Sequence, residues 1–234
     1  MLNSLSITAA LSALLLSGVR AQAPGADITR VALGKDSLAV WFSQGGPERQ
    51  IGRGWDELAL VAGPPSRLWR VYRMENELFG PLLDTVVFEL PSLRTFSRRT
   101  IGYLNSDSLF VVGDTVRGWQ QRRNEPREPV ALYLPPGTID ANAFDLAIRA
   151  TDWAPGVTRE WQAYLPGQRS FLRMGARYEG VEVVRQRDGR EIECWRILGD
   201  YAGSPVTFWI DPRDRGMVKQ SIGLVRGAVM VLAR

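Results

Sequence analysis

The sequence has the composition of an ordinary globular protein, without histidine and with a single cysteine. Of its 234 residues 45% are hydrophobic and 23% are charged, and the formal net charge is +4, which excludes a low-complexity or disordered chain and allows one domain with a substantial core. The absence of histidine excludes Ser-His-Asp and Cys-His catalysis and histidine-ligated metal sites, while the lone Cys194 excludes an intrachain disulfide and a cysteine-cluster zinc site.

Residues 1–21 are predicted to be a secretory signal peptide. Residues 7–18 (ITAALSALLLSG) form an apolar run that is shorter than the roughly 20 residues of a membrane-spanning helix. Val19-Arg20-Ala21 favours cleavage after Ala21, and cleavage after Ala23 is the alternative. A buried N-terminal helix would also explain the run. We therefore expect a soluble exported protein, periplasmic or extracellular, without a transmembrane span and with a flexible mature N-terminus over residues 22–36.

The basic residues do not form a nucleic-acid-binding stretch. Of the 29 basic residues 27 are arginine, and they are spread along the whole chain, with Arg98-Arg99 and Arg122-Arg123 as the longest local clusters. An exported protein rarely meets nucleic acid, so we expect no such partner and only a weak attraction to anionic envelope surfaces.

Most of the chain after residue 36 is predicted to be β-strand. Residues 55–62 fit either a short strand or a helical turn, and Gly52–Gly54 and Gly180 are expected to interrupt the strands around them. Asp188-Gly189 is the strongest hairpin signal in the chain. The predicted strands cover residues 37–42, 67–74, 83–90, 94–103, 108–112, 115–121, 130–134, 158–165, 168–178, 181–186, 190–198, 204–210, 217–224 and 228–232.

One helix is predicted over residues 140–151. Asp140 or Asn142 can cap its start, Phe144 and Ile148 recur at helical spacing, and Pro155-Gly156 follows its end. Many strands around a single helix predict a mainly β (α+β) domain over residues 37–234, a curved antiparallel sheet or half-barrel wrapped over that helix.

The second half of the chain carries a resemblance to a known family. Its sequence signals follow one another as the helix segment 140–149, strands around the Asp188-Gly189 turn, Glu193-Cys-Trp195, and Val206–Asp211 followed by Met217-Val-Lys219. This order resembles an exported bacterial domain family of unknown function whose half-barrel fold is related to the outer-membrane lipoprotein carriers. The likeness extends roughly over residues 88–220. It implies a strongly bent sheet over the helix near Phe144, and no catalytic residues.

The same segment suggests an apolar pocket. Val206, Phe208 and Ile210 share one face of a strand whose other face carries Trp209, so that strand must be covered twice or line a cavity. An acyl chain or another hydrophobic ligand would fit such a pocket, and a filled aromatic core is the alternative. The predicted ligand-binding residues are Phe144, Ile148, Trp153, Trp161, Tyr164, Trp195, Phe208 and Trp209.

Candidate catalytic and metal-binding residues are few. Asp140 and Asp145 lie roughly 140° apart around a helix, and we attribute them to capping and solvent exposure. Asp211 and Asp214, with Asp200 nearby, have the composition of an ordinary turn rather than of a metal site. Cys194 is expected to be buried and inert. We predict no catalytic residues, no metal and no cofactor.

These observations lead to one hypothesis and two alternatives. The hypothesis is a non-catalytic envelope protein that binds a hydrophobic or amphipathic ligand. The first alternative is a filled β-domain that acts as a protein-interaction subunit of an envelope complex. The second is a glycan hydrolase that uses carboxylates alone. Whether the interior of the sheet is empty or packed separates the first two.

Overall fold

A single β-sheet accounts for most of the chain in the computed structural model, which describes residues 27–234. The predicted signal peptide lies outside the described residues. The described chain has one α-helix, α1 (Phe144–Arg149), and 3-10 turns at Ile28–Arg30, Ala141–Ala143, Pro166–Gln168 and Val225–Gly227. The strands are β1 Gly34–Gln44, β2 Arg49–Val61, β3 Arg67–Asn76, β4 Leu82–Glu89, β5 Arg94–Gly102, β6 Asn105–Val112, β7 Thr115–Arg122, β8 Glu128–Tyr133, β9 Thr138–Asp140, β10 Thr158–Leu165, β11 Ser170–Arg185, β12 Glu191–Tyr201, β13 Ser204–Ile210, β14 Met217–Gly223 and β15 Ala228–Ala233.

The sheet has a simple meandering order with two edge strands, β8 and β9. Its order is β8-β7-β6-β5-β4-β3-β2-β1-β15-β14-β13-β12-β11-β10-β9. All neighbouring pairs are antiparallel except β9 and β10. Only residues 134–137 join the two edges. Because an extended residue spans about 3.5 Å, β8 and β9 must lie near each other and the sheet must curl. The predicted mainly β, curved antiparallel sheet is confirmed.

Side chains, not backbone hydrogen bonds, hold the two ends of this sheet together. Leu109, Val116 and Val130 of β6 to β8 pack with Tyr164 of β10 in a small core. The Thr95 hydroxyl of β5 donates to Asp140 Oδ2 at the end of β9, at 2.8 Å. The result is a barrel-like body with one open seam in its backbone ladder.

Helix α1 lies inside this curved sheet. The Phe144 ring contacts Trp161 of β10 and Phe208 of β13 at centroid distances of 5.6 and 5.8 Å. On the other side, Asp145 accepts hydrogen bonds from Arg70 of β3. The predicted helix is present but shorter than residues 140–151, since it starts as a 3-10 turn at Ala141 and its α-helical part ends at Arg149.

Two glycine interruptions that the sequence predicted are wrong. Strand β2 runs without a break through Gly52–Gly54 and over residues 55–61, which settles the ambiguity there in favour of a strand. A Cβ at Gly52 would lie 2.0 Å from the carbonyl oxygen of Glu75, so the glycine permits a close approach of β2 and β3. Gly180, with φ of 142°, lies at a bulge inside β11 and does not end the strand.

The segment expected to be a flexible N-terminus contributes to the core where the structure describes it. Ile28 and Val31 are 3% exposed and belong to the main hydrophobic cluster. The Ala32 N–H donates to the carbonyl of Asp214 at 2.8 Å. No helix within residues 27–234 is both long and apolar enough to cross a membrane.

Candidate ligand-binding cavity

A cavity of about 280 Å³ lies between α1 and the inner face of the sheet. Its lining side chains come from β3, β4, β12 to β15 and the start of the helix. The volume lies just below the range of roughly 300–1,000 Å³ that small-molecule sites occupy. The interior of the sheet is therefore not completely filled. Its apolar lining residues are Met74, Leu82, Val86, Ala141, Phe144, Val206, Phe208, Met217, Ile222, Met230 and Leu232.

The cavity opens at one end of the barrel-like body. Leu82 begins β4, Tyr201 ends β12, and Ile222 and Met230 flank the turn between β14 and β15; all four line the cavity and are half-buried. The turns at this end carry exposed apolar side chains, namely Leu78, Phe79, Tyr103, Leu104 and Val225. A molecule entering the cavity from this end would pass apolar surface.

The polar part of the wall is organised around Arg70 of β3. Its Nε and Nη2 donate to the two carboxylate oxygens of Asp56, at 2.7 and 3.0 Å. Its Nη1 and Nη2 donate to the two oxygens of Asp145, at 2.7 and 2.9 Å, and Nη1 also donates to the Asn142 carbonyl at 2.8 Å. These five contacts use all five N–H groups of the guanidinium.

A second arginine, Arg98 of β5, continues the network behind the cavity wall. Its Nη1 donates to Asp140 at 3.1 Å and its Nε to Asp107 at 3.2 Å, and Asp84 lies 3.5 Å from Nη2. Asp84 also accepts from the Thr100 hydroxyl at 2.8 Å and from the Asn142 amide at 2.5 Å. The network thus joins β2 to β6 with the start of the helix.

Electrostatic effects on the pKa values follow from burial and pairing. Burial by itself would lower the pKa of Arg98, but the Asp140, Asp84 and Asp107 carboxylates outweigh it and raise that pKa. The pKa of Asp107 is raised, chiefly because burial disfavours its charged form. Burial lowers the pKa of Arg149, whose guanidinium lies 3.7 Å from Asp56. The buried charged groups are therefore paired with one another and are largely shielded from solvent.

The prediction that Asp140 and Asp145 serve as helix caps and are exposed to solvent is partly wrong. Asp140 does cap the turn at Ala141–Ala143, since its side chain accepts from the Asn142 N–H at 2.8 Å. Neither carboxylate, however, is solvent-exposed: Asp140 is 2% exposed and the Asp145 side chain 12%. Their arginine partners come from β3 and β5, which the local sequence around the helix does not reveal.

Two of the eight predicted ligand-binding residues, Phe144 and Phe208, line the cavity. Ile148, Trp153 and Trp161 are buried in the main core beside it, and the Trp153 indole donates to the Ile148 carbonyl at 2.8 Å. Trp195 packs at the edge of that core, where the Arg215 guanidinium lies 4.2 Å from its ring.

The remaining two predicted residues lie in other clusters. Tyr164 belongs to the small core at the seam. Trp209 packs with Cys194 and Val218 in a third cluster, on the face of β13 opposite Phe208. The structure therefore brings the aromatic residues together around the helix only in part.

The sequence reasoning missed the cavity residues of the first half of the chain. Arg70, Tyr72 and Met74 alternate on the inner face of β3, and Leu82, Asp84 and Val86 alternate on that of β4. The available signal was the period-two alternation in residues 67–74, which places Arg70 between Leu68 and Tyr72 on the apolar face.

The other candidate residues have structural contacts. Asp211 accepts from the Arg213 guanidinium and backbone, which lowers the pKa of Asp211, and Asp200 accepts from the Gly203 N–H at 2.6 Å. Within residues 27–234 no group of three or more potential metal ligands is found. Cys194 is buried, and that burial raises the pKa of its thiol to about 12.

Comparison with protein-family models assigns the chain to a family. The model of DUF3108, described as a protein of unknown function, matches residues 62–233. The chain belongs to the DUF3108 family. The predicted resemblance to a domain family of unknown function with a barrel-like fold is confirmed, and the match begins before the residues from which the likeness was first seen.

A solved structure has a similar fold to this DUF3108 protein. The chain is similar to a beta-barrel-like protein of the DUF1849 family from Brucella abortus, with a TM-score of 0.52 and 10% identity, over 87% of this chain and 96% of that one. A protein with a YmcC-like fold from Bacteroides fragilis matches over the same shares at 10% identity and a TM-score of 0.35. Among curated proteins none matches significantly.

Proposed function

We propose that this DUF3108 protein is a non-catalytic binding protein of the cell envelope that holds an amphipathic ligand. The observation that carries the proposal is the cavity between α1 and the sheet, about 280 Å³ in volume, apolar over most of its lining and polar on one wall. This combination suits a molecule with an apolar chain and a polar end. The lipoprotein-carrier-like role inferred from the sequence is of the same kind.

The favourable free energy of ligand binding would come mainly from the apolar lining of the cavity. Each Å² of apolar surface that leaves water contributes roughly 25 cal/mol, so even a short acyl chain supplies a substantial free energy. The half-buried side chains at the opening, Leu82, Ile222 and Met230, are surfaces that such a chain would cover. Location in the envelope rests on the signal peptide predicted over residues 1–21.

The carboxylates of the cavity support a role without catalysis. Both carboxylate oxygens of Asp145 accept hydrogen bonds from Arg70, and Asp84 accepts hydrogen bonds from Thr100 and Asn142. A general acid needs a carboxyl whose pKa is raised towards neutral pH. Asp107, whose pKa is raised by burial, does not line the cavity. A carboxylate-only hydrolase therefore finds less support than a binding protein.

Two measurements on the purified protein test the proposal. Organic extraction followed by mass spectrometry should recover a co-purified amphiphile in stoichiometric amount. Titration with the hydrophobic dye N-phenyl-1-naphthylamine should show one saturable site. The proposal fails if neither a ligand nor a saturable site is found, and a single dominant partner in cross-linking of cells would then favour the protein-interaction alternative.

A matched pair of variants locates the site. Ile222→Trp places an indole in the cavity, and Ser221→Trp places the same group on the opposite face of β14. We expect dye binding to be lost in the first variant and kept in the second. Equal binding by both variants would mean that the dye binds at another surface, and would contradict the assignment of the cavity as the binding site.

A further inference from the structure

Building on the proposed function, we infer that the polar end of the ligand is a cation, so that the cavity selects cationic amphiphiles over anionic ones of the same chain length. Four features of the cavity wall lead to this inference. They concern the donors of Arg70, the acceptors of the aspartates, the charge of the buried network and the aromatic lining.

The charged donor groups of the wall, those of Arg70, are already used. Among the described residues that line the cavity, Arg70 is the only basic one. Its five N–H groups are directed to Asp56, Asp145 and the Asn142 carbonyl. A carboxylate or phosphate could bind Arg70 only by displacing one of these buried partners, and that exchange leaves an unpaired buried charge.

The acceptors of the wall still have capacity. An ionised carboxylate offers about four lone-pair directions. Asp145 receives one N–H on each oxygen, lines the cavity, and has a side chain that is 12% exposed. Asp84 also lines the cavity. A donor such as an ammonium group can therefore be added to the wall without breaking any contact.

The formal charge of the buried network also favours a positively charged ligand. It contains three arginines, Arg70, Arg98 and Arg149, against five aspartates, Asp56, Asp84, Asp107, Asp140 and Asp145. All eight residues are buried or nearly so, and charges attract more strongly there than in water. A cation in the cavity brings the network closer to neutrality, whereas an anion moves it further away.

The aromatic lining adds to the selectivity. Tyr72, Phe144, Tyr201 and Phe208 line the cavity, and the faces of aromatic rings attract cations. Within residues 27–234 the Tyr72 hydroxyl has only the sulfur of Met74 as its partner, at 3.7 Å. Its oxygen therefore remains a further acceptor on the same wall.

Competition between three ligands of equal chain length tests the inference. Decylammonium, decanol and decanoate are titrated against protein loaded with N-phenyl-1-naphthylamine. We expect decylammonium to displace the dye at a concentration at least about tenfold below that of decanoate, with decanol between them. Decanoate that binds as tightly as decylammonium overturns the inference and leaves the proposed function standing. Absence of any dye site overturns the proposed function itself.

A pair of variants at Gln220 tests the same point without disturbing the ion pairs. Gln220 lines the cavity and is half-buried. We expect Gln220→Lys to weaken decylammonium and strengthen decanoate, each about tenfold, and Gln220→Glu to do the opposite. Glu75→Gln removes a half-buried carboxylate of β3 that does not line the cavity, and should change neither affinity. Unchanged selectivity in both Gln220 variants contradicts the inference.

Discussion

Arg70 and Asp145 form a two-pronged ion pair between β3 and α1, with Nη1–Oδ1 and Nη2–Oδ2 distances of 2.7 and 2.9 Å. Their side chains are 9% and 12% exposed. The two residues are 75 positions apart in the chain. This contact fixes the helix against the first half of the sheet and at the same time forms the polar wall of the cavity.

Loss of the Arg70 guanidinium should destabilise the fold strongly. Arg70→Met leaves Asp145 buried without its arginine partner and leaves Asp56 with the more distant Arg149, at 3.7 Å. Breaking a buried ion pair from one side costs about 3–5 kcal/mol. Arg73→Met is the matched control on the same strand, because Arg73 is 59% exposed and its pair with Glu75 contributes at most about 1 kcal/mol. Urea denaturation measures both, and similar losses in the two variants would contradict the account.

Replacement of Asp107 should change how stability depends on pH. Burial raises the pKa of Asp107 in the folded protein above its ordinary value near 3.9, so wild-type stability falls as pH rises through the interval between the two values. Asp107→Asn removes that penalty, and its stability relative to wild type should rise over the same interval and then level off. Urea denaturation at a series of pH values between about 4 and 7 measures the difference.

For Asp188→Asn we expect the stability relative to wild type to change with pH in the opposite direction. Hydrogen bonds from the Arg190 backbone and side chain lower the pKa of the exposed Asp188. Its contribution is present above the ordinary pKa and is lost as pH falls, so this variant should lose stability relative to wild type as pH rises. A relative stability of Asp107→Asn that falls with rising pH would refute the assignment of Asp107.

Cys194 should be unreactive in the folded protein. It is fully buried, its thiol lies 3.5 Å from the Ile192 carbonyl, and burial raises its pKa to about 12, so almost no thiolate is present near neutral pH. A disulfide reagent such as 5,5'-dithiobis(2-nitrobenzoate) should modify it only after denaturation. Rapid modification under native conditions would show that this part of the sheet opens.

Gly52→Ala should destabilise the protein because no room exists for its methyl group. The added Cβ would lie 2.0 Å from the Glu75 carbonyl oxygen, and overpacking of this kind costs about 1–3 kcal/mol or more. Gly46→Ala is the control, since the same group there meets nothing within 4 Å. Thermal unfolding of the two variants compares them, and equal midpoints would mean that β2 and β3 separate easily.

The sequence predicts the sheet, the hairpins and the helix because those features depend on local periodicity and turn residues. It does not predict the cavity wall, because its ion pairs join residues far apart in the chain. Arg98-Arg99 shows the difficulty: the pair looks like a basic cluster, yet Arg98 is buried among aspartates and Arg99 is exposed.

The aromatic residues show a second limit, which the sequence itself could have indicated. Phe208 and Trp209 are neighbours in one strand, so period-two alternation places them on opposite faces of the sheet. Phe208 lines the cavity and Trp209 packs with Cys194 in the third cluster. Only one of the two could have lined a shared pocket.

Ligand protection of a thiol placed in the cavity tests the central proposal most directly. The buried Cys194 is the chain's one cysteine, so Ile222→Cys introduces a thiol whose modification can be followed alone, with Ser221→Cys on the opposite face as control. We predict that saturating decylammonium slows modification of the Ile222→Cys thiol at least about tenfold and leaves the control unchanged. Equal rates with and without the amphiphile at both positions would contradict a ligand-binding cavity.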